Sequence, residues 1–457
     1  METEAVKVAL ISTYELGRQP FGLASPAAWL AGRGHDVICV DTSRERLTLE
    51  AVAQAGLVAF YLPMHTATRL AVPLIQRVLR ARPDTHICCY GLYAPMNEPF
   101  LRGIGVRTVI GGEFEQALAD LAGGSLRPQP LISLDRLQFV QPDRGSLLPL
   151  NNYATLSVNG VARRAGSTEA SRGCKYLCRH CPVVPVYNGA FRIVQREVVL
   201  ADIRQQVAAG AEHISFGDPD FFNGPGHAMA IVDALHTEFP SVTYDVTIKI
   251  EHLLNHRELL PRLSATGCLF VTSAVESLND RTLELLDKGH TRADFIEAVR
   301  LTREAGLTLT PTFVTFTPWT TLADYRDILD TLVDLDLVDN VAPIQLAIRL
   351  LIPSGSRLLE LPEVRDKLGE FDSAALSYQW RHDDPAVERL CSDVQTLVQA
   401  EERRKSSRRA IFARIWELSQ DRPLPAGFNL GSQGAVPFLS EGWYCCAEPT
   451  AEQLAQI

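Results

Sequence analysis

The sequence predicts an α/β protein made of two successive parallel-sheet units and a helical C-terminal extension, and three observations predict it. Short apolar runs alternate with helical stretches from residue 6 to about 124. The alternation returns from residue 163 to about 360. Beyond that the chain becomes helical and charged, then Pro- and Gly-rich. With 457 residues and 46% hydrophobic composition, it is long enough for more than one core.

The elements follow in order. Residues 6–11 predict a buried strand, 26–33 a helix ended by Gly34, and 38–40, 57–62 and 87–90 further strands. Helices between strands imply parallel pairing, so residues 1–124 predict a doubly wound domain with a ligand crevice at its strand C-termini. Residues 125–162 are rich in turn formers and predict a linker. The second unit, 163–360, predicts a helix at 196–208 and strands at 213–216, 242–248, 269–274, 307–315 and 344–348. Residues 361–440 predict the helical extension and 441–457 a tail.

Charge and composition exclude some functions. A net charge of −10 argues against broad nucleic-acid binding, and the basic run at 403–409 reads as a solvated helix face. No apolar run approaches the ~20 residues of a membrane span, and the first residues lack the basic flank of a signal peptide. The expected location is the cytoplasm, where ten cysteines point to metal binding or reactive thiols rather than disulfides.

Two cysteine motifs carry the chemistry. Cys174, Cys178 and Cys181 stand in a C-x3-C-x2-C run. Three thiolates on one loop hold an iron–sulfur cluster with one iron open, whereas a zinc site needs a fourth ligand such as His180. The second motif is the adjacent pair Cys445 and Cys446, followed by Glu448. A disulfide between neighbours is strained, so the pair suits a soft, thiophilic centre or a redox couple, with Glu448 placed to orient or deprotonate a thiol. Cys88 and Cys89, on a predicted strand, read as buried thiols.

The C-x3-C-x2-C loop resembles the radical SAM superfamily. That resemblance implies a partial (β/α)6 barrel at 163–360, a 4Fe-4S cluster on Cys174, Cys178 and Cys181, and S-adenosylmethionine (SAM) at the open iron. It also implies an electron donor such as flavodoxin or ferredoxin. SAM contacts are then expected at the strand ends: Gly217 and Asp218, Lys249 and Glu251, Ser273 and Glu276, and Gln345 with Arg349. The Gly34-His35-Asp36-Val37 turn and the Gly111-Gly112-Glu113 segment make residues 1–124 similar to cobalamin-binding domains. The signature Asp-x-His-x-x-Gly is replaced by residues 13–18, Thr-Tyr-Glu-Leu-Gly-Arg, so no axial histidine is available there and cobalamin is doubtful.

The ending Cys-Cys-Ala-Glu-Pro is similar to the tails of CUAEP/CCAEP radical SAM proteins, a group resembling the enzymes of arsinothricin biosynthesis. That implies transfer of the 3-amino-3-carboxypropyl group of SAM to arsenite held by Cys445 and Cys446. Two alternatives stay open: a cobalamin-dependent radical SAM methyltransferase, and a metalloid- or redox-sensing iron–sulfur protein.

Overall fold

The computed structural model describes residues 5–124, 130–430, 436–441, 448 and 453. The first domain is a six-stranded parallel sheet in the order β2-β1-β3-β4-β5-β6. Its strands are β1 (Lys7–Ser12), β2 (Asp36–Asp41), β3 (Leu57–Tyr61), β4 (His86–Tyr90), β5 (Thr108–Gly112) and β6 (Ile132–Ser133). Strand alternation sends Val8, Leu10 and Cys88 into one core and Ala9, Ile11 and Cys89 into the opposite one. Cys88 and Cys89 are thus buried on opposite faces, and burial pushes both thiols up.

The first helix, Phe21–Ala31, starts five residues before the predicted 26–33 and runs through Pro26. A proline there deprives the carbonyl of Gly22 of its helical donor. The Tyr90 hydroxyl replaces that donor, at 2.9 Å.

The second sheet has seven strands in the order β14-β13-β12-β11-β8-β7-β17. Five are parallel and curl into a half-barrel: β8 (Val161–Thr168), β11 (His213–Phe216), β12 (Thr243–Thr247), β13 (Cys268–Glu276) and β14 (Thr308–Phe313). β7 (Thr155–Val158) and β17 (Phe438–Leu439) extend its edge antiparallel. The short hairpin of β9 (Ser171–Gly173) and β10 (Phe191–Ile193) stands at its mouth.

Three expectations need correction. Residues 344–348 do not form a strand: Pro343–Leu346 is a 3-10 turn, and only a single bridge, Phe316 to Arg349, stands in the place of a sixth strand. The side chain of Gln345 takes over the ladder, accepting from the Phe313 N–H at 3.1 Å. Residues 125–162 contain β6 and β7, which join the two sheets rather than merely linking them. The run 403–409 is not one helix face: it spans the turn at 404–407 between the helices Pro385–Arg403 and Arg408–Ser419, with Arg409 2.7 Å from Asp339 and Arg408 stacked on Phe438. The extension also carries the hairpin of β15 (Leu368–Asp372) and β16 (Ser377–Trp380). Among the described residues no helix is long and apolar enough to cross a membrane.

Candidate active site

The loop with Cys174, Cys178 and Cys181 leaves β9 and returns through the helix Val184–Tyr187 to β10. Its entry requires glycine. Gly173 sits at φ +77, and a Cβ there would lie 2.4 Å from the Tyr187 ring and 2.6 Å from the Ala190 carbonyl. The buried Asn223 side chain donates to the Gly173 carbonyl at 3.1 Å and accepts from the Lys175 N–H at 3.2 Å. On the far side, the Arg179 N–H donates to the Leu286 carbonyl at 2.9 Å.

Just before the loop, Arg172 reaches across to the first domain. It is 7% exposed and lies 2.6 Å from Glu115, 3.4 Å from Glu113 and 2.7 Å from Glu169, with Phe114 under its guanidinium. Burial outweighs that cation at Glu113, whose carboxyl is pushed up to about 7. Arg172 therefore fastens the cysteine loop to the first domain.

Two buried ammonium groups flank the cysteines. Lys288, 3% exposed, feels Cys178 and Cys181 and lies 3.3 Å from Glu276, which also meets the His180 Nε2 at 3.0 Å. Burial alone would raise the Glu276 carboxyl, but Lys288 and His180 hold it down to about 2. Lys249 lies on the Cys174 side, 2.8 Å from Glu251 and 3.7 Å above the Tyr176 ring. Burial pushes the Cys174 thiol up to about 11 and the Cys181 thiol further, so both are protonated until a metal displaces the proton. Three thiols on one pinned loop, with cations beside them, fit a cluster. His180 Nε2 is turned to Glu276, and among the described residues no three His, Cys, Asp or Glu side chains converge as a single zinc ion would require.

A cavity of about 330 Å³ opens between the strand ends of the two domains. Leu16, Pro63 and Tyr93 line it from the first domain, and Cys181, Asp218 and Glu276 from the second. Of the expected SAM contacts, Gly217, Asp218, Glu276 and Gln345 face this cavity. Asp218 is 2% exposed and accepts from Ser171 Oγ at 2.6 Å and the Ala170 N–H at 2.9 Å, and burial pushes it up to about 7.

The other four candidates stand elsewhere. Lys249 and Glu251 lie behind Tyr176. Strand alternation on β13 turns Thr272 and Ala274 to the cavity and Ser273 into the interior, where it is fully buried. Arg349 is taken by Glu388 at 2.9 Å and by the Trp380 ring at 3.6 Å. Sequence reasoning missed Lys288, Arg172 and Asn223. Arg172 adjoins the cysteine motif, but nothing in the sequence links Lys288 or Asn223 to it.

Cys445 and Cys446 lie outside the described residues; residues on either side are anchored. β17 pairs with β7, and the Ser440 N–H donates to the Thr155 carbonyl at 2.8 Å. Glu441 accepts from Arg44 at 3.1 Å. Glu448 meets His65 Nε2 at 3.0 Å and pairs with Arg69.

Residues 168–332 match the radical SAM superfamily, and the chain carries a radical SAM domain. It is similar to the hopanoid C-3 methylase of Methylococcus capsulatus, 24% identical over 35% of this chain and 30% of the relative. A putative methylthiotransferase of Methanocaldococcus jannaschii is 22% identical over 59% of this chain and 62% of the relative. The chain therefore spans less than two thirds of either relative. In fold it resembles the cobalamin-dependent SAM radical enzyme OxsB, solved with aqua-cobalamin and SAM bound. The TM-score is 0.69 at 15% identity, over 87% of this chain and 67% of that one. A radical SAM domain uses a 4Fe-4S cluster and SAM, and Cys174, Cys178 and Cys181 are the residues here that would hold the cluster.

Proposed function

We propose that the protein is a radical SAM transferase that moves the 3-amino-3-carboxypropyl group of SAM to arsenite held by Cys445 and Cys446. When bound, the cluster would supply the electron that cleaves the carbon–sulfur bond of SAM and take one back as the arsenic–carbon bond forms, so that 5′-methylthioadenosine leaves, arsenic goes from +3 to +5 and the transfer is redox-neutral overall. The chain's own residues do the rest. Glu276 and Asp218 offer carboxyl groups to the cationic parts of SAM, and the Phe114 and Tyr93 side of the cavity shields the reacting carbon from water.

The observation that carries the reading is the double anchoring of the tail on the first domain, Glu441 on Arg44 and Glu448 on His65 and Arg69, with Met64, next to His65 in sequence, lining the cavity. These anchors bracket the Cys-Cys pair in sequence, and a thiolate pair is a natural receptor for trivalent arsenic.

Anaerobic incubation with SAM, arsenite and a reductant tests it. The expected products are 5′-methylthioadenosine and a species with an arsenic–carbon bond. Replacing both Cys445 and Cys446 with Ser should remove that species and leave slow SAM cleavage. Release of 5′-deoxyadenosine without arsenic–carbon product overturns the assignment, and no SAM cleavage at all points to a sensor.

A further inference from the structure

In a doubly wound sheet the ligand crevice lies where strand order reverses, here between β1 and β3. The likeness of residues 1–124 to cobalamin-binding domains would put a corrinoid in this region. The residues present do not fit one. The loop after β1 has no histidine, and His65, beyond β3, is 1% exposed and bonded to Glu448.

Room is also lacking. The 330 Å³ cavity is at the lower end of the ~300–1,000 Å³ that drug-sized ligands occupy, and a corrinoid is much larger than such a ligand. Deeper in the domain, the helices Phe21–Ala31 and Glu115–Ala122 are clasped by the Ser25 to Glu115 hydrogen bond at 2.7 Å. The Tyr61 ring fills the space beside Gly22, 2.1 Å from where a Cβ would stand.

We infer that this crevice is the receptor for the chain's own C-terminal tail, with two seats for carboxylates, and that it takes no corrinoid. The first seat is built around a glycine. Gly17 adopts φ +69, and a Cβ there would stand 2.3 Å from Glu441 Oε2 and 2.9 Å from its Cβ. Arg44 closes this seat, donating to Glu441 at 3.1 Å while its guanidinium lies 5.6 Å over the Tyr153 ring. The second seat is His65 with Arg69, one turn apart on the helix His65–Ala81, facing Glu448. β17 fixes the direction of approach by pairing with β7 at the edge of the second sheet. Residues 438–441 thereby tie the two domains together, β17 to the second sheet and Glu441 to the first domain. This docking goes beyond the proposed transfer and holds whatever acceptor the tail carries.

Hydrogen exchange on the full-length protein tests the seats without turnover. Replacing Glu441 and Glu448 together with Gln leaves the first domain untouched, and exchange of the amides of residues 438–441 should rise about tenfold as docking weakens. Arg69→Glu alone should raise it too, and adding Glu448→Arg should restore protection. Unchanged exchange in the Gln variant, or failure of the charge swap to restore it, overturns the seats. Titration with hydroxocobalamin should give no stoichiometric complex. A one-to-one complex with a shifted visible spectrum overturns the exclusion of corrinoid, independently of any activity measurement.

Discussion

Lys288 Nζ lies 3.3 Å from Glu276 Oε1, and this buried pair stands directly behind Cys178 and Cys181. Both side chains are less than a tenth exposed. Such a pair contributes little net stability compared with an apolar replacement, but leaving one charge alone is costly. Glu276 is held at φ +69, a strained conformation for a side chain with a Cβ, so the surrounding contacts must fix its position. His180, inside the cysteine motif, completes the bond network and ties β13 to the loop.

Replacing Lys288 with Met should cost ~3–5 kcal/mol in urea unfolding of the metal-free protein, because Glu276 keeps its charge without its ammonium partner. Adding Glu276→Gln should recover most of the loss. A double variant as unstable as Lys288→Met would mean that packing, not the charge pair, sets the cost.

Asp218 should make stability pH-dependent. Burial raises its folded pKa from 3.8 to about 7, so its contribution is fully present below pH 3.8 and is lost as pH rises through about 7. A tenfold change in proton affinity is worth ~1.4 kcal/mol, so melting temperature should fall between pH 5 and 8 by the equivalent of a few kcal/mol. Asp218→Asn keeps an acceptor for Ala170 and should flatten that slope. An unchanged slope in the variant would assign the pH dependence to another buried carboxyl, such as Glu113.

The three loop cysteines should act as one unit. Replacing Cys178 with Ala should remove iron, sulfide and SAM cleavage together, while circular dichroism stays that of the parent, since the cores of both sheets lie away from the loop. SAM cleavage surviving anaerobic reconstitution would contradict the ligand assignment.

Much of this molecule is legible in its sequence because the relevant physics is local. The period of apolar runs fixes strands and helices, and a three-cysteine spacing within eight residues fixes a loop that can bind a cluster. Where one polar group could replace another, the reading slipped. Gln345 does with its side chain what a sixth strand would do with its backbone, and Tyr90 lets a helix pass through Pro26.

By itself, then, the sequence determined the two parallel-sheet units, the three-cysteine loop, and the oddity of a terminal cysteine pair. Tertiary structure alone decided which strand-end groups face the cavity, since one residue of strand register sends Ser273 inward and Thr272 outward. It alone brought Lys288 beside the three-cysteine loop and Arg172 to the acidic groups of the first domain. It alone seated Glu448 on His65, a contact between residues 383 apart in the chain. Contacts at such separation leave no periodic or spacing signal, because folding, not chain connectivity, brings the two groups together.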